Sequence, residues 1–161
     1  MYAEAAGEID HETKIVRISA QRSIPVRRFT TAHELGHAAL HPGLTLHRDL
    51  PIRGPTATKN WREREANWFA SAFLMPRRRL ISAFLAAFEF APFYLNDDSA
   101  FALCSTRAET VLAKLSGIRG LSRLLADANR YGGREIPRLT AMFGVSTDAM
   151  AIRLEQLGLV K

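Results

Sequence analysis

A chain of 161 residues that is 47% hydrophobic is of a size for one domain with a proper core, and no stretch stays apolar long enough to span a bilayer. The single cysteine excludes an intramolecular disulfide framework. With no charged-then-apolar leader, the expectation is a cytoplasmic protein without a membrane partner.

In chain order, Gly7-Glu8-Ile9-Asp10 and Lys14-Ile15-Val16-Arg17-Ile18 flank His11-Glu12-Thr13 and read as a short β-hairpin. A helix follows, carrying His33-Glu34-Leu35-Gly36-His37. Arg28-Phe29-Thr30-Thr31-Ala32 offers a Ser/Thr-type N-cap and Pro42-Gly43 a stop shortly after His41. Ala32, Leu35, Gly36, Ala39 and Leu40 are small or apolar, so the helix reads as largely buried, where two unpaired histidines would be costly. Residues four apart project from one helical face roughly 6 Å apart along the axis, so His33 and His37 can grip one metal ion. Glu34 is placed to take a proton from a water that the ion acidifies, which names metal-assisted hydrolysis of a peptide bond.

A catalytic zinc needs a third protein ligand. His41 continues the same row but lies about 12 Å along the axis from His33, too far to share an ion. It reads as a helix-end residue, and His47 as a loop residue. No third histidine returns through a glycine turn after His37. The better candidate lies on a second helix, Trp61 to Leu74, closed by Pro76. Glu63, Asn67, Ala70 and Leu74 share one face of it, and a glutamate on a packed face has a reason to be there only if something pairs with it. Glu65, beside Arg62 and Arg64, reads instead as a surface ion-pairing residue. Asn67 is placed to hydrogen-bond a ligand histidine and fix its tautomer. Two imidazoles and a carboxylate suit Zn²⁺ and also accept Mn²⁺.

Beyond Pro76 the chain reads as helical to its end, with breaks near Pro92 to Ser99, Ser116 to Gly120, Tyr131 to Gly133 and at Gly144. Leu80 to Phe93 is the most apolar run, interrupted by Ser82, Glu89 and Pro92, and fits a buried amphipathic helix. The net charge of +6 favours polyanion contact. Arg77, Arg78, Arg79, Arg119, Arg123, Arg130 and Arg134, with Arg138, read either as a solvated surface or as a phosphate-binding stripe for single-stranded DNA, with Tyr131 or Trp61 available to stack on bases. Thr140 to Leu154 has helix-turn-helix spacing with its second helix starting at Thr147. Asp148 and Glu155 on that helix suit packing or repressor docking better than groove reading. Cys104 is either a small packed residue or a thiolate that fills the open position on zinc and keeps the enzyme latent. Tyr94, Tyr131 and His47 stand as equal candidates for stabilising an oxyanion.

Three blocks in this order resemble the ImmA/IrrE family of bacterial metallopeptidases: Arg28 to His37, then Glu63 to Asn67 with Phe69-Ala70 and Leu74-Met75-Pro76, then Phe143 to Ser146 with Ala149 and Arg153 to Leu159. The resemblance implies a gluzincin-like protease that cuts a helix-turn-helix repressor and so relieves repression of DNA-damage, mobile-element or phage-defence genes. The branch in bacterial immune operons is a natural setting for a cysteine switch triggered by nucleic acid. Carried over residue by residue, it implies His33, His37 and Glu63 as metal ligands and Glu34 as general base, in agreement with the helical geometry. The N-terminal hairpin reads either as a cover for the helical core or, by analogy with gluzincins, as an edge strand on which an extended substrate adds as a further strand. The stretch between Pro76 and Ile136 is unmatched.

The fold expected is α+β, mainly α: a small N-terminal sheet on a zincin-like helical core over residues 1–80, a helical insertion with a candidate regulatory role over 81–134, and helix-turn-helix-like helices over 135–161, together forming one compact unit. The rival function is a nucleic-acid sensor or toxin–antitoxin partner whose metal site is structural.

Overall fold

The computed structural model describes residues 7–10, 13, 15–41, 46–48 and 60–161. The chain forms two compact units, Met1–Leu74 and Met75–Lys161. The fold is α+β and mainly helical, as expected.

In the first unit, β1 (Gly7–Asp10) pairs antiparallel with β2 (Ile15–Ile18), from Gly7 opposite Ile18 to Asp10 opposite Ile15. On its other side β1 pairs with β3 (Leu46–Arg48), where Ile9 faces His47, so the sheet order is β2-β1-β3. The hairpin follows its alternating sequence. The third strand does not announce itself, because three residues are too few to show a period. His47, read above as a loop residue, belongs to that strand.

Two helices lie on from the hairpin, α1 (Ile24–Leu40) and α2 (Trp61–Leu74). α1 starts seven residues earlier than a Thr30 cap would place it. Ser23 stands at its N-cap and Pro25 in its first turn, where a fixed φ and a missing N–H cost nothing. Thr30 is buried inside the helix, and Thr31 turns its hydroxyl back to donate to the Arg27 carbonyl at 2.9 Å. α1 ends at Leu40 with His41 as C-cap; Pro42 and Gly43, read as its stop, lie outside the described residues. α2 has the bounds expected.

The two helices approach closely because small residues line their contact. A Cβ at Gly36 would meet the Ala66 Cα at 3.1 Å and the Phe69 Cβ at 3.2 Å, while Ala66 and Ala70 are fully buried. The buried face of α1 is Thr30, Ala32, His33, Glu34, Gly36 and His37. Leu35, Ala39 and Leu40, read above as part of a buried apolar face, are exposed. The helix is therefore inverted: it buries two imidazoles and a carboxylate and shows leucines to solvent. Such burial of polar groups is stable only where they find partners.

The second unit is built from α3 (Arg77–Phe88), α4 (Asp97–Cys104), α5 (Ala108–Leu112), α6 (Gly117–Asp127), a hairpin of β4 (Arg130–Tyr131) and β5 (Arg134–Glu135), then α7 (Leu139–Phe143) and α8 (Thr147–Gln156). Leu80, Phe84, Phe88, Phe93, Leu125, Met150 and Leu154 are fully buried and form its core. The apolar run from Leu80 does not stay helical to Phe93: α3 stops at Phe88, and Phe93 instead bridges Val160 near the C-terminus. The β4–β5 hairpin also departs from the all-helical expectation. Gly132 and Gly133 both take positive φ, 56° and 78°, which lets two short strands turn back on each other. α7 and α8 reproduce the helix-turn-helix spacing, with Gly144 at φ 63° in the turn and Ser146 capping α8 through the Ala149 N–H.

Candidate metal centre

His33, His37 and Glu63 bring one ligand atom each to within 4.8 Å of one another, and no other such group of His, Cys, Asp or Glu occurs among the described residues. The His33 and His37 Nε2 atoms are 3.0 Å apart. Glu63 places Oε2 3.3 Å from His33 Nε2 and Oε1 3.3 Å from His37 Nε2. Ligands about 2.05 Å from a tetrahedral zinc sit about 3.3 Å from each other, so the triangle has the edge lengths such an ion requires. The donor set therefore fits the metal that the motif implies.

Each member is placed by its helix. The i, i+4 spacing on α1 stacks the two imidazoles, whose ring centroids lie 4.7 Å apart. The close approach at Gly36 lets the first turn of α2 carry Glu63 up to both. Burial pushes the Glu63 carboxyl up, but hydrogen bonds and charge attraction from His33 and His37 outweigh it and hold the group well below the usual carboxylate range. It stands ready as an anionic ligand.

Asn67, one turn along α2 and 2% exposed, sets the tautomer. Its Oδ1 lies 3.0 Å from His33 Nδ1. An amide oxygen only accepts, so Nδ1 carries the hydrogen and Nε2 presents its lone pair to the centre. Glu34, next to His33 and on the same buried face, is fully enclosed.

The remaining candidates fall elsewhere. Glu65 is largely exposed beyond the first turn of α2, with Oε2 3.6 Å from His41 Nε2. Cys104 ends α4 and is exposed, in the second unit. Arg77, Arg78 and Arg79 open α3 as exposed residues, and Arg130 is exposed on β4. Arg119 instead forms a two-pronged bond to Glu155 at 2.6 and 2.9 Å, Arg123 pairs with Asp148 at 2.6 Å, and Arg134 bonds Glu89. The acidic residues of α8 thus serve as partners for α6. Tyr131 is buried against Phe88 and Phe93, with ring centroids 5.4 and 6.0 Å away, which removes it as a base-stacking platform. Trp61 and Tyr94 are exposed. Sequence reasoning missed the burial of His41, which is 7% exposed; its place in the i, i+4 row was the available signal.

Residues 3–100 match the family model of peptidase family M78, described as the IrrE N-terminal-like domain. Neither the curated proteins nor the solved structures gave a match. The matched stretch holds both helices of the centre and makes up more than half of the chain. The chain accordingly belongs to the IrrE N-terminal-like family of metallopeptidases, the ImmA/IrrE family.

Proposed function

We propose that the protein is a zinc-dependent endopeptidase whose substrate is a helix-turn-helix transcriptional repressor. The observation that carries the reading is the triangle of buried His33 and His37 with half-buried Glu63, and Glu34 on the same buried face of α1. A zinc held by these three residues supplies Lewis acidity, bringing the pKa of a water toward neutrality and polarising the scissile carbonyl. Glu34 accepts the proton of the attacking water on its carboxylate and returns it to the leaving amine. Asn67 keeps His33 in the ligating tautomer throughout. Enclosure of Glu34 shields its proton from exchange with bulk solvent during transfer.

A protein substrate is supported by the family and by the sheet. Among the described residues β2 is an edge strand, and its Ile15 and Val16 are 46% and 41% exposed, so an extended peptide can add along its outer side. The repressor as that substrate rests on the family resemblance. Regulation by single-stranded DNA would fall first on Arg77, Arg78, Arg79 and Arg130, which are exposed, rather than on the arginines paired with carboxylates.

Glu34→Gln is the test. It keeps the size of the side chain and removes its proton-accepting oxygen, so zinc content stays that of the wild type and cleavage of a co-expressed repressor, followed by intact mass, is lost. Cleavage that persists at the wild-type rate rules out Glu34 as the base. A wild-type protein that binds zinc and cleaves no repressor leaves the sensor reading standing.

A further inference from the structure

His41 continues the row of His33 and His37 yet takes no part in the ligand triangle, and it is nonetheless 7% exposed. Its Nε2 lies 3.3 Å from the carbonyl oxygen of Arg62. A carbonyl only accepts, so the imidazole donates Nε2–H to it. That carbonyl belongs to the peptide unit that joins Arg62 to Glu63. The bond therefore grips the backbone group from which the third metal ligand hangs.

The first turn of a helix is where order is lost most easily, because its N–H groups have no partner within the helix. Glu63 sits in that turn, the third residue of α2. Asn60 holds the turn on one side, accepting the Arg62 N–H on Oδ1 at 3.1 Å. His41 holds it on the other, from the end of α1 one turn beyond His37. The ring is further wedged by Trp61, edge-on at 5.3 Å, whose indole is covered by the Arg62 guanidinium at 5.1 Å. Glu65 Oε2 lies 3.6 Å from the same Nε2, on the solvent side.

We infer that His41 is a positioning residue that fixes the Arg62–Glu63 peptide, so that the Glu63 carboxylate reaches the metal already aimed. All three histidines of the row then meet the first turn of α2: two face the carboxylate of Glu63, and the third holds its main chain. Preorganising a ligand in this way raises metal affinity and narrows the geometry of the bound ion without adding a bond to it. The inference rests on the proposed metal centre.

The full chain is loaded with Co²⁺, whose absorption reports coordination geometry, and zinc affinity is measured by competition with a chromophoric chelator. The variants are His41→Leu, which fills the space without a donor, and His41→Gln, which keeps an N–H donor. His41→Leu is expected to bind zinc at least about tenfold more weakly and to give a weaker, shifted Co²⁺ spectrum, while His41→Gln stays within about threefold of the wild type. Wild-type affinity and an unchanged spectrum in His41→Leu would overturn the inference, as would equal weakening of both variants with the wild-type spectrum. If His41→Leu fails to fold, His41→Gln decides alone: near-wild-type affinity and spectrum support the role, and loss of either overturns it. Glu63→Ala separates the two layers. If it leaves zinc binding unchanged, the metal centre itself is misassigned. If it abolishes binding while His41→Leu does not, only the role of His41 is lost.

Discussion

Asn67→Ala removes the acceptor that the His33 Nδ1–H uses at 3.0 Å, in a place where Asn67 is 2% and His33 0% exposed. Water has little access to replace it. A buried donor deprived of its acceptor costs about 1–3 kcal/mol. The same loss expressed in metal affinity is the roughly 10- to 100-fold typical when the hydrogen-bond partner of a ligating histidine is removed. At about 1.4 kcal/mol per factor of ten the two estimates coincide. Competition titration with a chelator is therefore expected to show zinc affinity falling by about one to two orders of magnitude in Asn67→Ala. Asn67→Asp keeps an accepting oxygen in the same position and is expected to bind zinc at least as tightly as the wild type. Circular dichroism on both proteins checks that α2 is intact. If Asn67→Ala, folded, binds zinc as the wild type does, then Asn67 does not set the His33 tautomer and the reasoning is refuted.

Gly36→Ala places a Cβ about 3.1 Å from the Ala66 backbone, and overpacking of about 1–3 kcal/mol opposes the gain of up to about 1 kcal/mol that alanine brings to a helix. Chemical denaturation should show a net loss, accompanied by weaker zinc binding as α1 and α2 part; a more stable variant with unchanged affinity would show that the close approach is not required. Removing zinc with a chelator should lower the melting temperature of the wild type but not of Glu63→Ala, since a ligand present at a hundredfold excess over its Kd stabilises by about 2.7 kcal/mol; equal shifts in both would place the metal elsewhere. Arg119→Ala breaks a two-pronged bond to Glu155 that is partly exposed, so denaturation should show a loss of about 1 kcal/mol, reduced by salt. A loss of DNA binding without any loss of stability would instead make Arg119 a phosphate contact. Cys104 is exposed, so thiol titration should proceed equally with and without zinc, and protection by zinc would put its sulfur on the metal.

Much of the centre was legible because helical geometry is local. Spacing alone places His33 beside His37, and the choice of Glu63 over Glu65 follows from asking which face of α2 must be buried. The start of α1 was not legible, because Thr30 and Thr31 look like caps while Pro25, the residue that fits a first turn, lies further upstream. The leucines of α1 misled in the opposite sense: hydrophobicity predicted burial of Leu35 and Leu40, whereas the candidate ligands His33 and His37, with Glu34, occupy the packed face. A functional site is where that rule is expected to fail. β3 and the β4–β5 hairpin were too short to carry a period, although Gly132-Gly133 was a turn signal that deserved a hairpin reading. The partners of Arg119 and Arg123 lie 36 and 25 residues away on α8, and no single-sequence pattern reveals pairing at that distance.

X-ray absorption at the zinc edge of the loaded full chain tests the metal centre most directly. The expected result is one zinc per chain with nitrogen and oxygen neighbours at about 2.0–2.1 Å, imidazole scattering from two histidines, and loss of the bound zinc in Glu63→Ala. Imidazole scattering from fewer than two histidines, or an unchanged spectrum in Glu63→Ala, would contradict the assignment of His33, His37 and Glu63 as the protein ligands.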